Sequence, residues 1–247
     1  MRFRVVCGLA VTMATFSPVR ALRRVLLPTL GRPRMATNPD FKGMAFSCTS
    51  IIADWKVGRW YHLGMAPEGR TERLILRPLE LADAAQIQEV FPRWEIVRFL
   101  MNVVPWPYPP DGAEFYVREI ALPQMERGEA WHWTIRPARA AETIIGSISL
   151  IRREVDNRGF WLSPEWHGQG LMSEACVWIN DFWFETLGFE VLRVSKAVAN
   201  TTSRRISEKQ GMRLIGHGEK NYVSGRLPSE IFEITRDEWR AWKAHLY

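Results

Sequence analysis

A glycine loop set between a strand and a helix constrains this chain more than any other feature. The run Gly159-Phe160-Trp161-Leu162 is short and apolar, as a buried strand is. Ser163-Pro164-Glu165-Trp166-His167-Gly168-Gln169-Gly170 follows, and an amphipathic stretch from Leu171 to about Phe184 reads as a helix. Strand, glycine loop and helix N-terminus in that order build an anion site. Unbonded N–H groups converge at the helix start, and the helix dipole adds about half a positive charge there. Gly168 and Gly170 allow close backbone approach and positive φ. A diphosphate suits such a site; a plain glycine turn is the competing reading.

The spacing excludes other phosphate loops. No Lys-Ser/Thr follows the second glycine, so the loop is not that of a P-loop nucleotide hydrolase. Position 173 is serine, which breaks the Gly-x-Gly-x-x-Gly dinucleotide fingerprint. What remains, x-x-x-Gly-x-Gly before a helix, resembles the acetyl-CoA pyrophosphate loop of the GNAT superfamily of N-acetyltransferases. Glu165 stands where that family usually has Gln or Arg. In the family the backbone amides carry most of the diphosphate contact, so the departure touches the lesser part of the pattern.

A second signature lies downstream. Val191 to Val198 alternates as a strand does, Asn200 ends it, a basic helix opens near Ser203, and Gly211 stands where a helix C-cap glycine belongs. The segment Asn200-Thr201-Thr202-Ser203 through Lys209-Gln210-Gly211-Met212 resembles the Asn-x-x-Ser … Lys-x-Gly-Phe segment of the Rim-type branch, the ribosomal-protein N-terminal acetyltransferases and their relatives. Thr71 to Leu79 resembles the first strand of that branch, and Val104-Pro105-Trp106-Pro107-Tyr108-Pro109 its proline-aromatic loop beside the acceptor cleft. The likeness covers about residues 71 to 246. Asn200 and Ser203 also fit an ordinary helix cap.

Composition narrows the rest. Residues 1–70 carry 11 Lys/Arg against 3 Asp/Glu, whereas residues 71–247 carry 22 against 24, so the net +6 belongs to the N-terminal segment. That argues against nucleic-acid binding by the folded part. Residues 5–16 form an apolar patch too short to span a bilayer. Residues 1–65 are therefore expected to be a basic extension: a start called too early (Met65 precedes the first strand), a disordered segment or a targeting peptide. Residues 66–247 are expected to form one domain. Cys7, Cys48 and Cys176 show neither metal spacing nor a paired framework, and the five histidines no ligand pattern, so no metal and a reducing, cytoplasmic setting are expected. Cys176 reads as a small buried apolar residue.

Further helices are expected over 81–91 and 110–128, strands over 131–135, 143–150, 212–220 and 230–235, and a closing helix from Arg236. The order gives an α+β domain. The resemblance implies a GNAT-like mixed, mostly antiparallel sheet flanked by helices, with a V-shaped splay between the parallel strands 158–162 and 191–198. It implies that acetyl-CoA enters the splay, that the backbone of Trp161-Leu162-Ser163, through Trp161 and Ser163, pairs with the pantetheine arm, and that Asn200 holds that arm. The amides of Gly168, Gln169, Gly170, Leu171 and Met172 would hold the diphosphate, and Ser203 would meet the departing thiolate.

Rim-type relatives often place an acid directly before a tyrosine on the strand after the C-cap glycine; here Asn221 precedes Tyr222. Glu219, on the same strand face, is the candidate substitute base, against the role of a solvated surface glutamate. An α-amino acceptor, with pKa about 7.7–8.0 against about 10.4 for lysine, can lose its proton to water. Trp106, Tyr108 and Tyr222 are candidate cleft aromatics, or ordinary packing residues. The expected activity is acetyl transfer to a primary amine, a protein N-terminus first and a small-molecule amine second, by a monomer or homodimer that needs no nucleic acid or membrane. A catalytically degenerate acetyl-CoA sensor is the reading from another class.

Overall fold

A computed structural model describes residues 66–245. The expected extension, residues 1–65, lies outside the described residues; the described chain starts at Ala66, which is buried, and the Pro67 carbonyl accepts from Trp133 Nε1 at 2.7 Å. Strands are β1 (Gly69–Arg70), β2 (Leu74–Pro78), β3 (Ala130–Pro137), β4 (Gly146–Ile151), β5 (Arg158–Leu162), β6 (Val191–Ala197), β7 (Arg213–Tyr222) and β8 (Gly225–Thr235). Helices are α1 (Ala84–Val90), α2 (Trp94–Val97), α3 (Gly112–Tyr116), α4 (Leu122–Glu126), α5 (Leu171–Asp181), α6 (Thr201–Lys209) and α7 (Arg236–Ala244). A π-helical turn, Val117–Ala121, joins α3 to α4, and another, Phe182–Thr186, extends α5, so the two long helices expected from periodicity are present with a widened turn in each.

The strands form an antiparallel five-stranded sheet in the order β1-β2-β3-β4-β5 and a three-stranded sheet in the order β6-β8-β7. β3 is buried along its whole length, because helices cover both of its faces. On one face Trp133 meets Trp178 and Phe182 of the α5 segment, with ring centroids 5.7 and 5.3 Å apart. The α5 residues turned to the sheet, Ala175, Cys176 and Ile179, recur at helical spacing and are fully buried. The other face carries polar residues. Arg136 Nη2 donates to Asp83 Oδ1 at 2.5 Å, and both side chains are at least nine-tenths buried.

β5 and β6 meet only at their N-terminal ends. Asn157 N–H donates to the Arg193 carbonyl at 2.8 Å, and the Arg193 N–H returns to Asn157 Oδ1 at 2.7 Å. Beyond that point β5 stays with β4 and β6 with β8, so the strands open into a V. Asp156, at φ 64°, ties the vertex by accepting from the Ser195 N–H at 2.9 Å.

Candidate functional site

The V is the wall of a cleft of about 640 Å³. One end is the glycine loop. Pro164–Trp166 forms a single 3₁₀ turn, and Gly168 and Gly170 take φ of 74° and 77°. Gly170 is the N-cap of α5 and offers no side chain to cap it. The first intrahelical bond runs from the Glu174 N–H to the Gly170 carbonyl at 3.1 Å, which leaves the N–H groups of Leu171, Met172 and Ser173 unspent by the helix. A Cβ added at Gly168 would meet nothing within 4 Å, so the loop is open above the backbone.

The loop is braced from behind. Arg73 donates through Nη1 to the Gln169 carbonyl at 2.9 Å and through Nε to Glu174 Oε2 at 2.7 Å. His167 donates from Nε2 to the Leu162 carbonyl at 2.8 Å. Glu165, the residue that departs from the family pattern, is turned back onto the protein. Its carboxylate accepts from the Ser163 hydroxyl and pairs with Arg93, and these partners hold its pKa at about 2. Its charge is thereby engaged away from the helix N-terminus.

The cleft brings together most of the expected residues: Trp161, Leu162, Gly168, Gly170, Leu171, Met172, Asn200, Ser203 and Tyr222 all line it. Asn200 Oδ1 accepts from the Ser203 N–H at 3.2 Å, so the helix-cap role is realised while both residues also face the cleft. Tyr222 is buried and shares a 2.7 Å hydrogen bond with Ser229 Oγ; burial raises its pKa.

Four placements differ from expectation. Gln169 faces a smaller cleft beside Arg73. Trp106 is half exposed and leans on Trp94, and Tyr108 packs on Phe91 with ring centroids 5.0 Å apart; neither lines the main cleft. Glu219 is exposed, pairs with Arg226 at 2.5 Å and does not line the cleft. The fourth correction concerns β5. Ser163 N–H donates to the Ile145 carbonyl at 2.8 Å, and Ile151 N–H to the Asn157 carbonyl at 2.7 Å. In an antiparallel ladder alternate pairs exchange both bonds. Ser163 and Trp161 therefore turn their backbone groups to β4, and Phe160 and Leu162 turn theirs to the opening.

The sequence reading missed three parts of the site. The segment after α2 docks on β7, with Asn102 N–H on the Asn221 carbonyl at 3.1 Å and Val223 N–H on the Leu100 carbonyl at 2.9 Å, and so closes one side of the cleft. Arg205 and Lys209 of α6 line its open end. At the vertex stand Arg158 and Lys196, whose only sequence signal was a charge on an inward position of an apolar strand.

Unspent N–H groups at a helix start, an open glycine backbone and two nearby cations fit a diphosphate-bearing ligand. Among the described residues no helix is long and apolar enough to cross a membrane, and no cluster of His, Cys, Asp or Glu is placed to hold a metal ion.

Comparison with known proteins agrees with this geometry. The family model described as an acetyltransferase (GNAT) domain matches residues 73–213. The Bacillus subtilis (strain 168) protein named "Putative ribosomal N-acetyltransferase YdaF" is 26% identical over 182 residues, which span 70% of this chain and 96% of that protein. Among solved structures, the ribosomal-protein-S5-alanine acetyltransferase of Vibrio fischeri superposes with a TM-score of 0.61 at 16% identity, over 70% of this chain and 99% of its own. RimJ of Mycobacterium smegmatis, solved with a coenzyme A disulfide, gives 0.59 at 16% identity, over 69% and 88%. The family match covers more than half of the chain, and its relatives carry Rim-type names: the protein belongs to the GNAT family and is an acetyltransferase.

Proposed function

We propose that the cleft binds acetyl-CoA and transfers its acetyl group to a primary amine, with a protein N-terminal α-amine as the preferred acceptor. One observation carries the reading: the strand pair opens directly beside a helix N-terminus that has no side-chain cap. The N–H groups of Leu171, Met172 and Ser173 would hold the diphosphate, and Arg205 and Lys209 would add positive charge at the open end. The N–H and C=O groups of Phe160 and the N–H of Leu162 would pair with the pantetheine arm as an added strand. Asn200, whose Oδ1 is used as a cap, would present its Nδ2 to that arm.

In the transfer the acceptor nitrogen bonds to the thioester carbonyl carbon and the carbon–sulfur bond breaks. The thiolate leaves with the electron pair, and the amine's proton goes to water. Ser203, nine-tenths buried at the α6 start, would donate its hydroxyl to the thiolate. With Glu219 directed away, no carboxylate base is assigned. An α-amine is partly neutral near pH 8, whereas lysine is about 2.5 pKa units further from deprotonation. The name of the B. subtilis relative, a ribosomal N-acetyltransferase, supports the same acceptor class.

Thiol release from acetyl-CoA, measured with N-terminal peptides, lysine-side-chain peptides and small amines, tests the proposal. Faster release with free α-amino peptides than with N-terminally blocked ones is expected. Faster release with small amines would replace the acceptor, and cofactor binding without turnover on any amine would make the domain a sensor.

A further inference from the structure

At the vertex of the V two cations are buried without a carboxylate hydrogen-bonded to either among the described residues. Arg158 is 3% exposed and Lys196 8%. Arg158 Nη1 donates to neutral acceptors, Asn180 Oδ1 at 2.7 Å and Gln210 Oε1 at 2.9 Å, and its Nη2 lies 3.9 Å from the Met212 sulfur. Its Nε is buried with no hydrogen-bond partner. Lys196 Nζ sits 4.5 Å from the centre of the Phe160 ring and makes no hydrogen bond among the described residues. Two carboxylates neighbour this pair and both are engaged: Asp156 by Lys220 and by the Ser195 N–H, and Glu230, opposite Lys196 across the β6–β8 ladder, by Arg204 at 2.6 Å. Both cations line the cleft.

This arrangement is unfavourable for the protein alone. Burial removes both charges from water, and the two repel each other. Lys196 responds: burial first and Arg158 second push its pKa down to about 8, against smaller opposing effects of Cys176 on α5 and Asp156 before β5. Among the described residues no free carboxylate completes the pair. The diphosphate does not serve, because the free N–H groups that suit it lie at the α5 start. Arg158 stands four residues, about 13 Å, below the last residue of β5. A ligand group that reaches this depth is the acyl end of a donor or the part of an acceptor that follows its amine.

We propose that Arg158 and Lys196 form a carboxylate-binding subsite at the vertex of the cleft, so that the enzyme prefers a substrate bearing a free carboxylate close to the transferred acyl carbon. The carboxylate belongs either to the acyl chain of a dicarboxylic acyl-CoA or to the acceptor. The inference rests on the cleft being a coenzyme A site. It selects among substrates by supplying the missing negative charge.

The test uses the full chain and its Lys196→Met and Lys196→Arg variants. Lys196→Met removes one of two repelling buried charges at nearly constant volume and is expected to fold. Transfer is measured from acetyl-CoA and from succinyl-CoA to an amine without a carboxylate, and from acetyl-CoA to an amino acid and to its amide. The natural protein is expected to prefer succinyl over acetyl, or the amino acid over its amide, by at least about tenfold in kcat/KM. Lys196→Met should bring that ratio to near one, and Lys196→Arg should retain it. Binding of the preferred substrate should also draw a proton onto Lys196 above pH 8, read by calorimetry in two buffers of different ionisation enthalpy and lost in Lys196→Met. A preference on the donor side assigns the carboxylate to the acyl chain; one on the acceptor side assigns it to the amine. Equal rates within each pair, or a Lys196→Met loss that is uniform across all substrates, would overturn the subsite and leave the cations a role toward the thiolate. Coenzyme A binding, followed by thermal shift in parallel, separates this failure from failure of the cofactor reading.

Discussion

Replacing Gly168 by aspartate places a negative charge in the loop that precedes the free N–H groups of α5. The structure allows the steric and electrostatic parts to be separated. No atom lies within 4 Å of a Cβ at this position, so the side chain fits. The backbone, at φ 74°, is left-handed and costs an L-residue about 1–2 kcal/mol, aspartate somewhat less than alanine. Gly168→Ala therefore serves as the matched control, with a Tm loss of about 2–8 °C. At a separation on the order of 6 Å, the added carboxylate and a diphosphate held on the α5 N–H groups repel each other. With an effective dielectric between about 20 and 80, each unit of charge there opposes binding by roughly 0.7–2.8 kcal/mol. Coenzyme A affinity, measured by calorimetry, should fall about 3- to 100-fold from Gly168→Ala to Gly168→Asp for one opposed unit of charge. The gap should narrow as salt is raised, because the loop is exposed. Equal affinity of the two variants at low salt would show that the diphosphate is not held at this loop.

Two further predictions concern the polar face of β3. Asp83→Ala leaves Arg136 buried with only Thr134 Oγ1 and the Ala141 carbonyl, each at 3.0 Å, and is expected to cost about 3–5 kcal/mol in urea unfolding. Asp83→Ala combined with Arg136→Met should recover most of that loss, and a single variant costing under about 1 kcal/mol would contradict the account. His132 is buried with Nε2 unpartnered, and burial pushes its pKa down to about 4. The unfolded chain, with the imidazole near 6.5, binds the extra proton between those values, so stability falls as pH drops through that window. This residue alone should remove about 2 kcal/mol between pH 7 and pH 5. His132→Leu should flatten the dependence, and a variant with the same slope as the natural protein would place the acid sensitivity elsewhere.

The parts of this protein legible in its sequence are those set by local chemistry. Gly170 and Gly211, both at positive φ, and Asn200, whose side chain caps α6, mark boundaries that any reader of the chain can find. The same residues punctuate the glycine loop and the α6 start, so the anion end of the cleft was legible too. What was not legible depends on partners distant in sequence. Whether Trp161 or Phe160 turns its backbone to the opening is a matter of parity, and the Ser163–Ile145 bond fixes that parity from another strand. Glu219 shares a strand face with position 221, as alternation requires, yet it pairs with Arg226 across the β7–β8 hairpin and stays outside the cleft. The docking of residues 98–102 on β7 is likewise a tertiary event with no local signature. Arg158 and Lys196 are the instructive case between these limits. Their identities are plain in the chain, and so is their conflict with strands that are otherwise apolar. Only the fold shows that the two charges meet each other at one vertex, with the neighbouring carboxylates Asp156 and Glu230 already engaged by Lys220 and Arg204. A charge that breaks a strand's pattern without an internal counter-ion directs attention to the ligand, and here it directs attention to the end of the cleft where acyl group and acceptor must meet.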